Sequence, residues 1–195
     1  MYSLHTTEAI IIETAEHREA DRILTLLTRD LGLIQAVALG CRNNCSKLRS
    51  TLLDLAFIQA TLVRGKNGWR LTTASLERHL YFDLIPVQEK IKVAGRFFSL
   101  LKRLIRGEHP EPVLFDNVSE GLRFLAKTDF SAEDLISFES ILVIRLLRVL
   151  GYIADAPALS PFYQEGFSKE LLADLRPVRR EAFKAINLGL QESHL

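Results

Sequence analysis

The spacing of apolar residues changes once along this chain, near residue 80, and that change restricts the fold more than any other feature. Before it, short apolar segments repeat with a period of two; after it, the period is three to four. A period of two belongs to half-buried strands and one of 3.6 to amphipathic helices. The chain is therefore read as α+β, with a small sheet domain over residues 1–80 and an all-helical domain over 81–195. Five segments rich in Ile, Val, Leu, Thr and aromatics are strand candidates: Glu8–Thr14, Arg22–Thr28, Leu33–Leu39, Phe57–Val63 and Trp69–Leu76. In the third, Ile34, Ala36 and Ala38 alternate with Leu33, Gln35, Val37 and Leu39. In the fifth, Leu71 and Thr73 alternate with Arg70, Thr72 and Ala74. Asn67-Gly68, the dipeptide most tolerant of positive φ, predicts a tight hairpin between the fourth and fifth segments. Asp30-Leu31-Gly32 joins the second to the third, and the strandless stretch Gly40–Leu53 separates the third from the fourth. Five strands interrupted after the third describe a five-stranded Greek-key barrel of the OB type.

From Pro86 onward Ile91, Ala94, Phe98, Leu101 and Ile105 share one helical face, and Leu114 or Phe115, Val118, Leu122 and Leu125 share another. Gly107–Pro112 separates the two. Ser131-Ala132-Glu133-Asp134 resembles a capping start for a helix carrying Leu135, Phe138, Leu142, Leu146 and Val149, which Gly151 terminates. That helix is apolar nearly all round and is expected to be central. After an irregular stretch, Ala154–Pro161, Pro177 is expected to open a last amphipathic helix.

The composition, 48% hydrophobic and 25% charged over 195 residues, excludes a disordered chain. No apolar run approaches the roughly 20 residues needed to span a bilayer. The N-terminus has no basic region leading into an apolar stretch, so a cytoplasmic location is expected. Cys41 and Cys45, three residues apart with no second pair, do not complete a zinc site, and a reducing cytosol keeps them as thiols.

A net charge of +1 conceals a local asymmetry. Between Gly40 and Arg70, the basic residues Arg42, Lys47, Arg49, Arg64, Lys66 and Arg70 face Asp54 alone, whereas Glu8, Glu13, Glu16, Glu19, Asp21 and Asp30 outnumber Arg18, Arg22 and Arg29 earlier on. A basic loop and hairpin on a small barrel, with Trp69 and Phe57 close by, suit phosphate contacts and base stacking. The plainer reading is that the charges are solvated and both rings are core. In the first helix Lys92, Arg96, Ser99, Arg103 and Arg106 fall in a stripe about 80° wide. It is either a solvated face or a docking surface for an acidic segment or a phosphate backbone.

Catalytic constellations do not assemble. The histidines, His5, His17, His79, His109 and His194, are scattered with no metal-ligand spacing. Gly65-Lys66 has Ala60 and Asn67 where a phosphate-binding loop needs Gly and Ser or Thr. Glu16, Glu19 and Asp21 read as turn carboxylates, and Ser46-Lys47 as an activated nucleophile has no more support than any adjacent pair. The chain is not expected to be an enzyme, and no cofactor is expected.

Against this background Glu8-Ala-Ile-Ile-Ile12, Glu19-Ala-Asp-Arg-Ile-Leu-Thr-Leu-Leu-Thr28, Leu31-Gly32, Gly40-Cys-Arg42, Ser46-Lys-Leu-Arg49 and Leu150-Gly-Tyr152 resemble the RecO family of DNA-repair recombination mediators. The resemblance covers essentially the whole chain, weakening after Tyr152. It implies an OB-fold domain followed by a helical one, binding to single- and double-stranded DNA, annealing of strands coated with single-strand-binding protein, and loading of RecA together with RecR and, in some members, RecF. It also implies DNA contacts from the loop after the third strand, here Arg42, Lys47 and Arg49. The hairpin cations Arg64, Lys66 and Arg70 are added from charge and position. The acidic tail of single-strand-binding protein is expected on the helical domain, which makes Lys92, Arg96, Arg103 and Arg106 candidates. Many relatives carry a Cys-x-x-Cys zinc ribbon after the Leu-Gly-Tyr motif; Ile153-Ala-Asp-Ala-Pro157 stands there instead, so no ribbon and no zinc are expected.

Overall fold

A computed structural model of the chain describes residues 3–105, 107–164 and 166–193. The chain forms two compact units, Met1–Asp83 with Arg106–Phe115, and Leu84–Ile105 with Asp116–Leu195. The first is a closed barrel of β1 (Leu4–His17), β2 (Asp21–Thr28), β3 (Gly32–Ala38), β4 (Ala56–Gly65) and β5 (Gly68–His79), in the order β1-β2-β3-β5-β4. β1 is long enough to pair with β4 along its first half and β2 along its second. β3 and β5 run parallel and close the barrel. This is the OB arrangement the strand spacing predicts.

β3 alternates as expected, with Ile34, Ala36 and Ala38 buried and Gln35 and Leu39 exposed. β5 departs from expectation. Its pairing steps from Thr61↔Thr73 to Leu62↔Leu71, leaving Thr72 as an extra residue whose hydroxyl donates to the Thr61 carbonyl at 2.9 Å. The bulge reverses the faces beyond it, so Leu71 is buried, Thr73 is exposed and Ala74 packs on the core. At the β4–β5 hairpin Gly68 takes the positive φ, 104°, and Asn67 does not. The connection after β3 seals the barrel with Leu48 and Leu52, while Leu55 donates its N–H to Ile11 at 2.8 Å. Cys41 is buried and Cys45 exposed, both as free thiols. Burial raises the Cys41 thiol pKa, keeping it protonated.

A strap from beyond α2 (Gln88–Leu104) completes this unit. A Cβ on Gly32, whose φ is 74°, would lie 2.2 Å from the His109 carbonyl oxygen, so only glycine allows the strap to approach. Beside it, Arg64 Nη1 lies 2.9 Å from Glu108 Oε2.

The helical unit contains α2, most of α3 (Pro112–Lys127), α4 (Ala132–Val149), a short α5 (Pro161–Gln164) and α6 (Lys169–Glu192); α1 (Leu80–Leu84) precedes it. α4 buries every residue from Ser140 to Leu147, as expected of a central helix. The buried face of α2 is rotated from the expected one. Val93, Ala94, Phe97, Phe98, Leu101 and Leu104 are buried and Ile91 only partly. Lys90 shares that seam, its stem buried and its Nζ donating to the Thr128 carbonyl at 2.8 Å. Pro177 lies within α6 rather than at its start. Ser168 caps the helix by accepting from Leu171 N–H, and the i−4 carbonyl that Pro177 leaves without a donor belongs to Ala173, an exposed residue.

The predicted cap of α4 is a full capping box: Ser131 Oγ accepts from Asp134 N–H, and Asp134 Oδ2 accepts from Ser131 N–H, each at 3.1 Å. Hydrogen bonds from Ser131, and then from Arg176, hold the Asp134 carboxyl below its ordinary pKa against some desolvation. A depressed folded-state pKa contributes stability above the unfolded pKa, near 4, and that contribution is lost as pH falls through the folded value. Asp134→Asn is therefore expected to lower stability at pH 7 and to flatten its decline below about pH 4. Urea titrations from pH 7 to 2.5 check both; an unchanged acid slope would contradict the assignment.

Candidate nucleic-acid interface

The outer face of β2 and β3, flanked by the β1–β2 turn and the β4–β5 hairpin, forms a groove of about 680 Å³. Its lining is largely apolar: Ile23, Val37 and Leu39 occupy positions the barrel core does not take, and Val63 and Trp69 are buried beneath them. The rim carries His17 and Arg18 from the turn, and Lys66, Asn67 and Arg70 from the hairpin. Arg18 has φ 53°, a conformation uncommon outside glycine, at the tip of its turn. Arg18, Lys66 and Arg70 are exposed and form no ion pair among the described residues. Strands 2 and 3 with these two loops are the face on which OB folds hold oligonucleotides and oligosaccharides.

The structure sorts the six barrel cations expected from the sequence. Lys66 and Arg70 line the groove; Arg64 does not, because it turns to Glu108 and lies 5.4 Å from the centre of the Trp69 ring. Arg42 is engaged by Glu16 at 2.9 Å, and its Nη1 donates to the Arg18 carbonyl at 3.4 Å. Lys47 is exposed, and Arg49 donates to Asn44 Oδ1 at 2.5 Å, a neutral partner that leaves its charge uncompensated. None of these three lines the groove. The two rings are core, Phe57 at 3% and Trp69 at 6% exposure, with His5 packed edge-on to Trp69. Arg18 is the rim residue that charge counting missed, since it sits in the acidic half of the barrel sequence. Its place in the first turn of an OB barrel was the available signal.

In the helical unit, Lys92 pairs with Glu89 at 2.7 Å and Arg96 grips Glu139 through two bonds of 2.7 and 2.5 Å. Arg103 is exposed, and Arg106 lies outside the described residues. Beside Arg96 a cleft of about 430 Å³ is lined by Val87, Val93, Phe130, Leu135 and Ile136.

A closed barrel in this strand order, with a cation-rimmed groove on its β2–β3 face, defines an OB-fold protein. Residues 1–78 match the family model described as recombination protein O N terminal. Over 146 residues the chain is 27% identical to a DNA repair protein RecO from Acetivibrio thermocellus, a stretch that covers 75% of this chain and 57% of that relative. The N-terminal barrel is thus similar to the N-terminal domain of the RecO family, the family its sequence motifs resemble.

Proposed function

We propose that the chain acts in recombinational DNA repair as a non-catalytic mediator that binds single-stranded DNA in the barrel groove and anneals complementary strands. The observation that carries this reading is the placement of three unpaired cations, Arg18, Lys66 and Arg70, around the face that OB folds use for oligonucleotides. Cations there neutralise phosphates and release counterions, which lowers the repulsion between two approaching strands. Lys47 and Arg49, exposed on the loop after β3, add positive charge on the same barrel and suit contacts with double-stranded DNA.

The partners we propose are those the RecO resemblance implies: single-strand-binding protein through its acidic tail, RecR, and through them RecA, with RecF in some members. On the helical unit the tail would meet Arg103 and the apolar cleft beside Arg96, with the Arg96–Glu139 pair opening to admit it. Lys92 is less available because Glu89 holds it.

The test is annealing of complementary strands coated with the cognate single-strand-binding protein, intact or lacking its acidic tail. Acceleration that needs the tail is the expected result. A folded protein that accelerates annealing on neither coated nor bare strands would overturn the mediator reading. Preferential RNA binding without annealing would mark an RNA-binding module instead.

A further inference from the structure

Single-strand binders with OB folds commonly stack bases on exposed aromatic rings. This groove offers no exposed Phe, Tyr or Trp ring. Two of its lining residues carry rings, His17 and Trp69. Trp69 is 94% buried by its 6% exposure, with His5 against it and the Arg64 guanidinium over it. The exposed floor is aliphatic instead, and Leu39, at 48% exposure, is its most open member. The cations come from the β1–β2 turn, which carries Arg18, and from the β4–β5 hairpin and the start of β5, which carry Lys66 and Arg70.

Resting on the proposed function, we infer that the groove holds a DNA strand by its phosphates and sugars with the bases turned to solvent. Phosphates meet Arg18 from the turn, and Lys66 and Arg70 from the hairpin and the start of β5. The apolar sugar faces lie on Ile23, Val37 and Leu39. With Trp69 buried and His17 the one other ring lining the groove, the bases keep their pairing edges free, so a complementary strand can pair with the bound one without displacing it from the protein. A stacking platform would work against annealing, because each stacked base must be released before it pairs. Binding in this mode is insensitive to sequence and depends steeply on salt.

The experiment compares the full chain's affinity for an oligonucleotide of about 16 nucleotides, enough to fill one OB barrel, with that for the same strand bearing abasic sites throughout. Permanganate reactivity of thymines in the bound normal strand is read in parallel. The expected result is equal affinity within about threefold, below the roughly fivefold that a single stacked base would supply, with thymines still reactive. A loss of about tenfold or more on the abasic strand, or protection of the thymines, overturns the inference and leaves DNA binding intact. Failure to bind either strand removes the DNA-binding reading itself, and this inference with it. His17→Ala checks the remaining ring: a selective loss of normal-strand affinity would identify His17 as a stacking platform and also overturn the inference.

Discussion

Replacing Arg145 by alanine is expected to destabilise the helical unit by about 3–5 kcal/mol, the cost typical of breaking a buried charged network and leaving a cavity. Arg145 is 1% exposed in the middle of α4. Its Nε donates to the Phe162 carbonyl at 2.9 Å, its Nη1 donates to Asn117 Oδ1 at 3.2 Å, and its guanidinium lies 4.2 Å from the centre of the Phe167 ring. One side chain thus ties α4 to α3, α5 and the approach to α6. Alanine would leave the buried Phe162 carbonyl without this donor, release Asn117 Oδ1 and empty the space over Phe167. The melting temperature of this unit is expected to fall by about 10–25 °C. Arg145→Met, which fills the space without serving the acceptors, is expected to lose less. Calorimetry of the three proteins measures this, and a loss under about 1 kcal/mol for alanine would show that the network is dispensable.

The second large effect concerns the groove. The triple change Arg18→Ala, Lys66→Ala, Arg70→Ala is expected to reduce the salt slope of single-strand binding by about 2, at about 0.7 per phosphate released. Carried to physiological salt, that slope corresponds to an affinity loss of roughly 50-fold. Changing Arg42, Lys47 and Arg49 together is expected to cost less, because Arg42 is already compensated by Glu16 and none of the three lines the groove. Fluorescence anisotropy from 20 to 300 mM salt compares the two variants. If the loop variant loses more slope than the groove variant, the strand follows the loop after β3 and the groove assignment is wrong.

Much of the barrel was legible because its strands alternate and its connections use Asn67-Gly68 and Gly32 where the backbone needs them. The bulge in β5 was hidden because threonine suits a strand on either face, and Thr72 and Thr73 give no sign of which is the extra residue. Pro177 misled for a related reason. A proline suits the first turn of a helix, yet α6 accepts one in its interior where the carbonyl it frees belongs to an exposed residue. The interface was half legible. Charge counting found Lys66 and Arg70, but Arg18 reaches the same rim from about fifty positions earlier, joined to them by barrel closure. Ion pairs formed across similar distances, Arg64 with Glu108 and Arg96 with Glu139, withdraw cations that composition alone counts as free.

The strap over Gly32 bears on how the chain is made. Strands β1 to β5 leave the ribosome first, but the backbone that packs against Gly32 and the carboxylate that meets Arg64 arrive about thirty residues later, after all of α2. Domains generally fold in the order of synthesis. Here the earlier domain reaches its final form only when part of the later one has been translated, so a nascent chain halted between the two exposes an open seam at the β2–β3 turn. Exchange of this barrel between proteins as a simple N-terminal cassette would carry the same defect, unless the recipient supplied a strap of its own.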